Sequence, residues 1–206
     1  MSPLAKVCGL TTADDAAFAA AQGADLLGFV RHPASPRHCA DLSVAGAHLD
    51  RAVLVMVAES AEAVLEMARL HGLCRVQPYL PPAVREAGVA RLRAAGLFVL
   101  LPWPDEPGQR AIPADLYLWE PSPAQTGVAG GSGQAHAGAF PPPGPFLLAG
   151  GLDGANLAAR ASGLPPSLRS RLKGFDAASR LEATPGRKDP ARVRSFITAA
   201  HTLEVP

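Results

Sequence analysis

Short apolar runs alternate along most of the chain with longer stretches of helical periodicity. The apolar runs are rich in Val, Leu and Phe, which is typical of strands buried in a parallel sheet. They predict eight strands, over 4–8, 24–30, 52–58, 73–77, 97–101, 115–120, 145–150 and 172–178. Strands that alternate with helices predict an α/β fold with crossover connections.

Several of the intervening segments carry clear helix signals. Thr12 followed by Asp15 resembles a capping box and predicts the start of a first helix. Apolar residues spaced three and four apart predict a second helix over 61–68. Asp189 followed by Pro190 predicts the start of the last helix, because proline is well tolerated in the first turn.

Eight strand and helix units predict a closed (β/α)8 barrel, and an open doubly wound sheet is the alternative. The chain has 206 residues, of which 48% are hydrophobic, and this predicts one domain over 1–206. Typical barrels have roughly 250 residues. Because 121–144 is a Gly-, Ala-, Pro- and Ser-rich loop without helical pattern, the helix after the sixth strand is expected to be short or missing.

Charge and hydropathy narrow the classes of function. Nineteen Lys and Arg against 18 Asp and Glu give a formal net charge of +1, which argues against nucleic acid as a partner. The longest apolar run, over 97–103, is too short to span a bilayer, and the amino terminus lacks a signal-peptide pattern. We therefore expect a cytoplasmic protein with a small-molecule partner. Three cysteines without a C-x-x-C pair argue against a disulfide framework and a structural zinc site.

The carboxyl ends of the predicted strands are more polar than the strands themselves. They include Cys8, Arg37, Gln77, Glu120, Gly150, Gly151 and the segment 176–180. A thiol, a carboxyl group, an arginine and loops with free N–H groups can together bind an anion and move protons on it. The loops after the seventh and eighth strands commonly bind phosphate in such barrels. Considered individually, these residues are also consistent with roles outside any site: Cys8 with a small buried side chain, and Glu120 and Arg37 with solvated groups on the surface.

Four segments of the chain resemble the phosphoribosylanthranilate isomerase family. They are KVCGLTTADDA at 6–16, GADLLGFV with SPR at 23–37, AGGLDGAN at 149–156, and TPGRKDPARVRSFI at 184–197. The resemblance implies a (β/α)8 barrel that acts in tryptophan biosynthesis. It also implies conversion of N-(5-phosphoribosyl)anthranilate to 1-(2-carboxyphenylamino)-1-deoxyribulose 5-phosphate without metal or organic cofactor. A monomer or homodimer is expected.

The resemblance also implies roles for individual residues. Cys8 matches the general base that removes the sugar C2 proton, and Glu120 stands where the family has an aspartate as general acid. Arg37 matches the arginine that holds the anthranilate end, while Gln77 and Asp176 match positions beside the ligand. The phosphate site is matched by Gly150, Gly151, Ala178, Ser179 and Arg180.

The chain also departs from the family pattern. Glu120 is one methylene longer than aspartate, and Gln77 is followed by Pro78 and Tyr79 where the family usually has Leu and His. We expect positive surroundings to favour the Cys8 thiolate, and partial desolvation to raise the pKa of the acid. A phosphoribosyl-ligand binding barrel without catalysis remains an alternative. The related histidine-pathway sugar isomerase is another, although it has aspartate where Cys8 stands.

Overall fold

The computed structural model describes residues 2–121 and 138–204. Eight parallel strands close into a barrel in chain order, with β1 paired to both β2 and β8. The strands are β1 Leu4–Cys8, β2 Leu26–Arg31, β3 Ala52–Val57, β4 Arg75–Tyr79, β5 Phe98–Pro104, β6 Leu116–Glu120, β7 Phe146–Leu148 and β8 Leu172–Ala177. The predicted barrel is confirmed and the open sheet is wrong.

All eight predicted strands are present, and the differences lie at their ends. β4 continues through Pro78 to Tyr79, and β5 continues through Pro102 to Pro104. The predicted strands ended two and three residues earlier, because proline cannot donate a ladder hydrogen bond and usually interrupts a strand. Gln77 therefore lies within β4 rather than at its end.

The prolines of β4 and β5 face the seam between these two strands. In a parallel sheet, successive backbone N–H groups point alternately to the two neighbouring strands. The N–H of Asp105 donates to the carbonyl of Glu120 on β6 at 2.9 Å, so the nitrogens of Pro102 and Pro104 face β4. Among the described residues, the pairing of β4 with β5 goes no further than Val76. Within the described residues, these two strands are therefore not paired with each other near their carboxyl ends.

Helices cover the outside of the barrel. Those in the described residues are α1 Ala13–Ala21, α2 Ala61–Leu70, α3 Pro82–Ala94, α4 Leu157–Ser162, α5 Pro166–Arg169 and α6 Pro190–Thr202, with 3-10 turns at Leu42–His48 and Ser179–Leu181. The predicted caps are confirmed, because Thr12 accepts from the N–H of Asp15 and Asp189 accepts from two N–H groups of α6. In the ranges that the structure describes, no helix is both long and apolar enough to cross a membrane.

Two elements need separate mention. The prediction that the helix after β6 is short or missing falls on residues 122–137, which lie outside the described residues. A small antiparallel hairpin follows β8, formed by Glu182–Thr184 and Arg187–Lys188. The sequence patterns did not predict it, because its strands are too short to show alternation.

Two apolar layers position the candidate site. One fills the space between strands and helices, and the other lies inside the barrel. Alternate residues of a strand face opposite sides, so β1 directs Lys6 and Cys8 into the barrel and β6 directs Leu118 and Glu120 there. The inner layer is apolar at its base, with residues such as Leu100, and it becomes polar at the carboxyl ends of the strands.

Candidate active site

A cavity lies at the carboxyl ends of the barrel strands. Five predicted site residues line it, namely Cys8, Arg37, Gln77, Glu120 and Asp176. They come from β1, the loop after β2, β4, β6 and β8, so the closed barrel brings together side chains that are far apart in the sequence. The structure thus joins a thiol, two carboxyl groups, an amide and a guanidinium around one space.

The Cys8 side chain ends β1 and is buried, with 8% exposure. Gly28 on the paired strand β2 makes room for it, since a Cβ there would lie 2.8 Å from the Cys8 sulfur. Burial raises the pKa of the Cys8 thiol, and the positive charges of Lys6 and Lys188 act against that rise. The expected cations are present, but the expectation of a favoured thiolate is wrong in its net direction, because desolvation outweighs them.

Lys6 lies directly below Cys8 and is fully buried. Its ammonium donates to a carboxylate oxygen of Asp176 at 2.6 Å, across the paired strands β1 and β8. Burial alone would lower the pKa of Lys6, but the charges of Asp176 and Cys8 outweigh it and raise this pKa. Lys6 therefore remains a permanent cation beside the thiol. The prediction from the sequence missed it, although its place two residues before Cys8 puts it on the inward face of β1.

Glu120 ends β6 and is buried, with 5% exposure. Burial raises the pKa of its carboxyl group to about 8, while the hydrogen bond from Tyr79 and the charge of Lys6 lower it and the charge of Asp176 raises it. The expected desolvated acid is thus present. At neutral pH the carboxyl group is mostly protonated, which is the state that a general acid requires.

Gln77 is almost fully buried on β4. Its amide nitrogen donates to the Tyr79 hydroxyl at 3.0 Å. Its amide oxygen has no hydrogen-bond partner among the residues described. An orphaned buried acceptor costs free energy unless a ligand satisfies it, so Gln77 offers one open acceptor at the wall of the cavity.

Arg37 lines the cavity, and a carboxylate holds its guanidinium in place. Its Nε and Nη2 donate to the two carboxylate oxygens of Glu182 at 2.7 and 2.9 Å. Lys188 donates to the same carboxylate at 3.1 Å and to the carbonyl of Ala178 at 3.1 Å. The Glu182 and Lys188 side chains come from the hairpin after β8, and the sequence patterns gave no sign of their role.

The predicted phosphate-site residues lie at the ends of β7 and β8. Gly150 and Gly151 have φ values of +91° and +63°, which only glycine adopts without strain, and they present a turn without side chains. Ser179 and Arg180 line a second cavity, where Arg180 pairs with Asp153 at 3.2 Å. Ala178 lies just before the 3-10 turn that contains these two residues.

The chain has relatives that cover nearly all of its length. It is 38% identical to an N-(5'-phosphoribosyl)anthranilate isomerase of Deinococcus radiodurans, over 94% of each chain. It is 34% identical to the enzyme of the same name from Rhodopseudomonas palustris, over 97% of this chain and 99% of the relative. The crystal structure of the Thermus thermophilus phosphoribosyl anthranilate isomerase is similar, with a TM-score of 0.75 and 27% identity over 95% and 97% of the two chains. No family model matches the chain.

Proposed function

The chain belongs to the phosphoribosylanthranilate isomerase family, and from this premise we propose that its barrel converts N-(5'-phosphoribosyl)anthranilate to 1-(2-carboxyphenylamino)-1-deoxyribulose 5-phosphate. One observation carries the proposal: a buried thiol and a buried carboxyl group with a pKa of about 8 line one cavity at the carboxyl ends of the strands. These are the groups that an internal proton transfer on a sugar requires.

The acid step belongs to Glu120. Its protonated carboxyl group donates a proton to the ring oxygen of the ribose, the C1–O bond breaks, and the anilino nitrogen supplies the electron pair that forms a C=N bond. The product of this step is an open-chain Schiff base that is protonated on its nitrogen, and Glu120 is left as a carboxylate. A carboxyl group with an ordinary pKa of 4.5 would already be ionised at neutral pH, so the burial of Glu120 gives it this role.

The base step belongs to Cys8. Its thiolate removes the C2 proton of the protonated Schiff base, the electron pair of the C2–H bond forms a C1–C2 double bond, and the π pair of the C=N bond returns to the anilino nitrogen. The resulting enol-amine tautomerises to the ketone, so the isomerisation needs no external oxidant or reductant. Burial makes the thiolate scarce but strongly basic, and the buried ammonium of Lys6 stabilises it when it forms.

The remaining residues hold the two ends of the substrate. We assign the anthranilate end to Arg37. Its Nε and Nη2 donate to Glu182, and a guanidinium has further N–H groups that point away from that carboxylate. We assign the sugar to Gln77 and Asp176, which line the cavity together with Cys8 and Glu120. We assign the phosphate to Gly150, Gly151, Ala178, Ser179 and Arg180, where a glycine turn and a cation suit an anion.

The proposed function also implies a domain organisation, a cellular location and a class of partner. We propose that residues 1–206 act as one barrel domain in the cytoplasm, as a monomer or homodimer. The partner is a small phosphorylated sugar rather than nucleic acid or a membrane, and the proton transfers above use only side chains of this chain.

The experiment is turnover of N-(5'-phosphoribosyl)anthranilate, followed by loss of substrate fluorescence in the presence of excess downstream enzyme. We expect measurable turnover that Cys8→Ala abolishes and Glu120→Gln strongly reduces. Cys74→Ala is the matched control, because Cys74 is an exposed free cysteine and its removal should leave turnover unchanged. Tight binding of the product with no turnover above background would contradict the proposal and favour a binding barrel.

A further inference from the structure

The hydroxyl group of Tyr79 connects Gln77 to Glu120. It accepts from the Gln77 amide nitrogen at 3.0 Å and donates to Oε2 of Glu120 at 3.1 Å. Tyr79 is on β4 and Glu120 is on β6, so this link passes over the carboxyl end of β5, where the pairing between β4 and β5 has already ended. Both side chains also line a third cavity, at that seam. The hydrogen bond therefore fixes the acid beside a gap in the strand pairing of the barrel.

The two hydrogen bonds that link Gln77, Tyr79 and Glu120 have a fixed direction. An amide nitrogen can only donate, so the Tyr79 oxygen must accept from Gln77. The single hydroxyl hydrogen of Tyr79 is then directed to Oε2 of Glu120. The carbonyl oxygen of a neutral carboxyl group accepts hydrogen bonds better than its hydroxyl oxygen does, so this bond favours the form with the acid proton on Oε1.

We propose that Tyr79 is a positioning residue for Glu120, which directs the acid proton to Oε1 and stabilises the carboxylate left after proton transfer. The inference rests on the proposed function, in which Glu120 is the general acid. Glutamate has one more rotatable bond than the aspartate of the family pattern, and each free rotamer weakens the alignment that catalysis needs. The bond from Tyr79 restrains that extra rotation. A hydrogen bond to a carboxylate is also stronger than one to a neutral carboxyl group.

The surroundings of the pair fit this role. Tyr79 stays protonated, because burial and then the charge of Glu120 raise its pKa well above the usual value. The other charged groups that face Glu120 are Asp176 on β8 and Lys6 on β1, and Cys8 lies across the cavity. Burial raises the pKa of Glu120 and the Tyr79 hydrogen bond lowers it, so removal of the hydroxyl group should raise that pKa further.

The first test is the pH profile of kcat/KM for Tyr79→Phe. Glu120 titrates at about 8, and burial raises the pKa of the Cys8 thiol above its ordinary value. The acid therefore has the lower pKa of the two groups, and the apparent pKa of the lower limb of the profile is that of Glu120. We expect that limb to move to higher pH, kcat at the optimum to fall about tenfold, and KM to change less than about twofold. Tyr117→Phe is the matched control: its buried hydroxyl group donates to the carbonyl of Ile112 at 2.7 Å, outside the site. Its pH profile should match that of the unmodified protein.

The second test is a double-mutant cycle with Glu120→Gln. If Tyr79 acts through the acid, Tyr79→Phe should cost nothing further in the Glu120→Gln background, measured under single-turnover conditions. Equal losses in both backgrounds, or an unmoved lower limb in Tyr79→Phe, would overturn the inference. Either of these results bears on Tyr79 only when the unmodified protein turns over substrate and Cys8→Ala does not. The absence of turnover in the unmodified protein would instead overturn the proposed function, so the two failures are distinct.

Discussion

Lys6 and Asp176 form a buried ion pair with 2.6 Å between ammonium and carboxylate, across the strands that close the barrel. The pair joins the first strand to the last, and it lies directly below the thiol of Cys8. Paired in this way, Lys6 keeps its charge without exposure to water. The same contact therefore contributes to barrel closure and to the electrostatics of the candidate base.

Replacement of Lys6 by methionine should affect both stability and chemistry. It leaves the Asp176 carboxylate buried without its cation, and breaking a buried pair costs about 3–5 kcal/mol in free energy of unfolding. It also removes a charge that lowers the pKa of Cys8, so the upper limb of the kcat/KM profile should move to higher pH. Urea unfolding and the pH dependence of thiol alkylation measure the two effects.

The control for Lys6→Met is Arg93→Met. Arg93 pairs with Asp115 at 3.1 Å, but the Arg93 side chain is exposed and that of Asp115 is partly exposed. Exposed pairs contribute about 0–1 kcal/mol, so this variant should unfold almost as the unmodified protein does. An unchanged alkylation profile in Lys6→Met would show that Lys6 does not stabilise the thiolate.

Gly28→Ala should displace the candidate base. The added Cβ would lie 2.8 Å from the sulfur of Cys8 and 3.1 Å from its Cα, so the thiol or the strand must shift. A displacement of about 1 Å can cost about a hundredfold in rate, and we expect a kcat loss of that order. The control is Gly46→Ala, where an added Cβ would meet no atom of the described residues within 4 Å. Equal kcat values for the two variants would contradict the geometry given for Cys8.

The sequence patterns located the strands well, because each strand is a separate apolar run and the barrel needs eight of them. The strand ends were also sufficient to select Cys8, Glu120 and Asp176, since polar residues at these positions break the apolar pattern. What the patterns could not give was pairing between distant segments. Nothing near Lys6 in the sequence indicates that it meets Asp176, since barrel closure alone brings them together.

The extension of β4 and β5 through prolines had a similar cause. A proline interrupts a strand only where its missing N–H would face a paired neighbour. Pro102 and Pro104 face a seam where the pairing has ended, so the backbone continues in the same direction. The position of Tyr79 at the end of β4, and hence its contact with Glu120, depends on this feature. Periodicity in a single strand carries no information about which neighbour each N–H faces.

The raised pKa of Glu120 has a consequence for stability. Its value of about 8 in the folded protein lies above the ordinary 4.5, so the folded state binds this proton more tightly than the unfolded chain does. The resulting stabilisation is fully present below pH 4.5 and is lost as the pH rises through 8. Urea unfolding should show the advantage of the unmodified protein over Glu120→Gln falling by an amount on the order of 5 kcal/mol between pH 4 and 9. A constant difference would mean that the carboxyl group titrates normally.

Arg37→Met separates the two ends of the substrate site. Arg37 is assigned to the anthranilate end, and its loss leaves Glu182 still paired with Lys188 at 3.1 Å, so the hairpin keeps one of its cations. We expect KM for N-(5'-phosphoribosyl)anthranilate to rise about tenfold to a hundredfold, since a charge-assisted contact contributes about 1.5–3 kcal/mol. Inhibition by inorganic phosphate should be unchanged, because the phosphate end lies on Gly150, Gly151 and the turn after β8.

Arg180→Met should show the opposite pattern, with weaker inhibition by inorganic phosphate and little change in KM. If Arg37→Met weakened phosphate inhibition as much as it raised KM, Arg37 would belong to the phosphate end and the assignment of the two ends would be wrong.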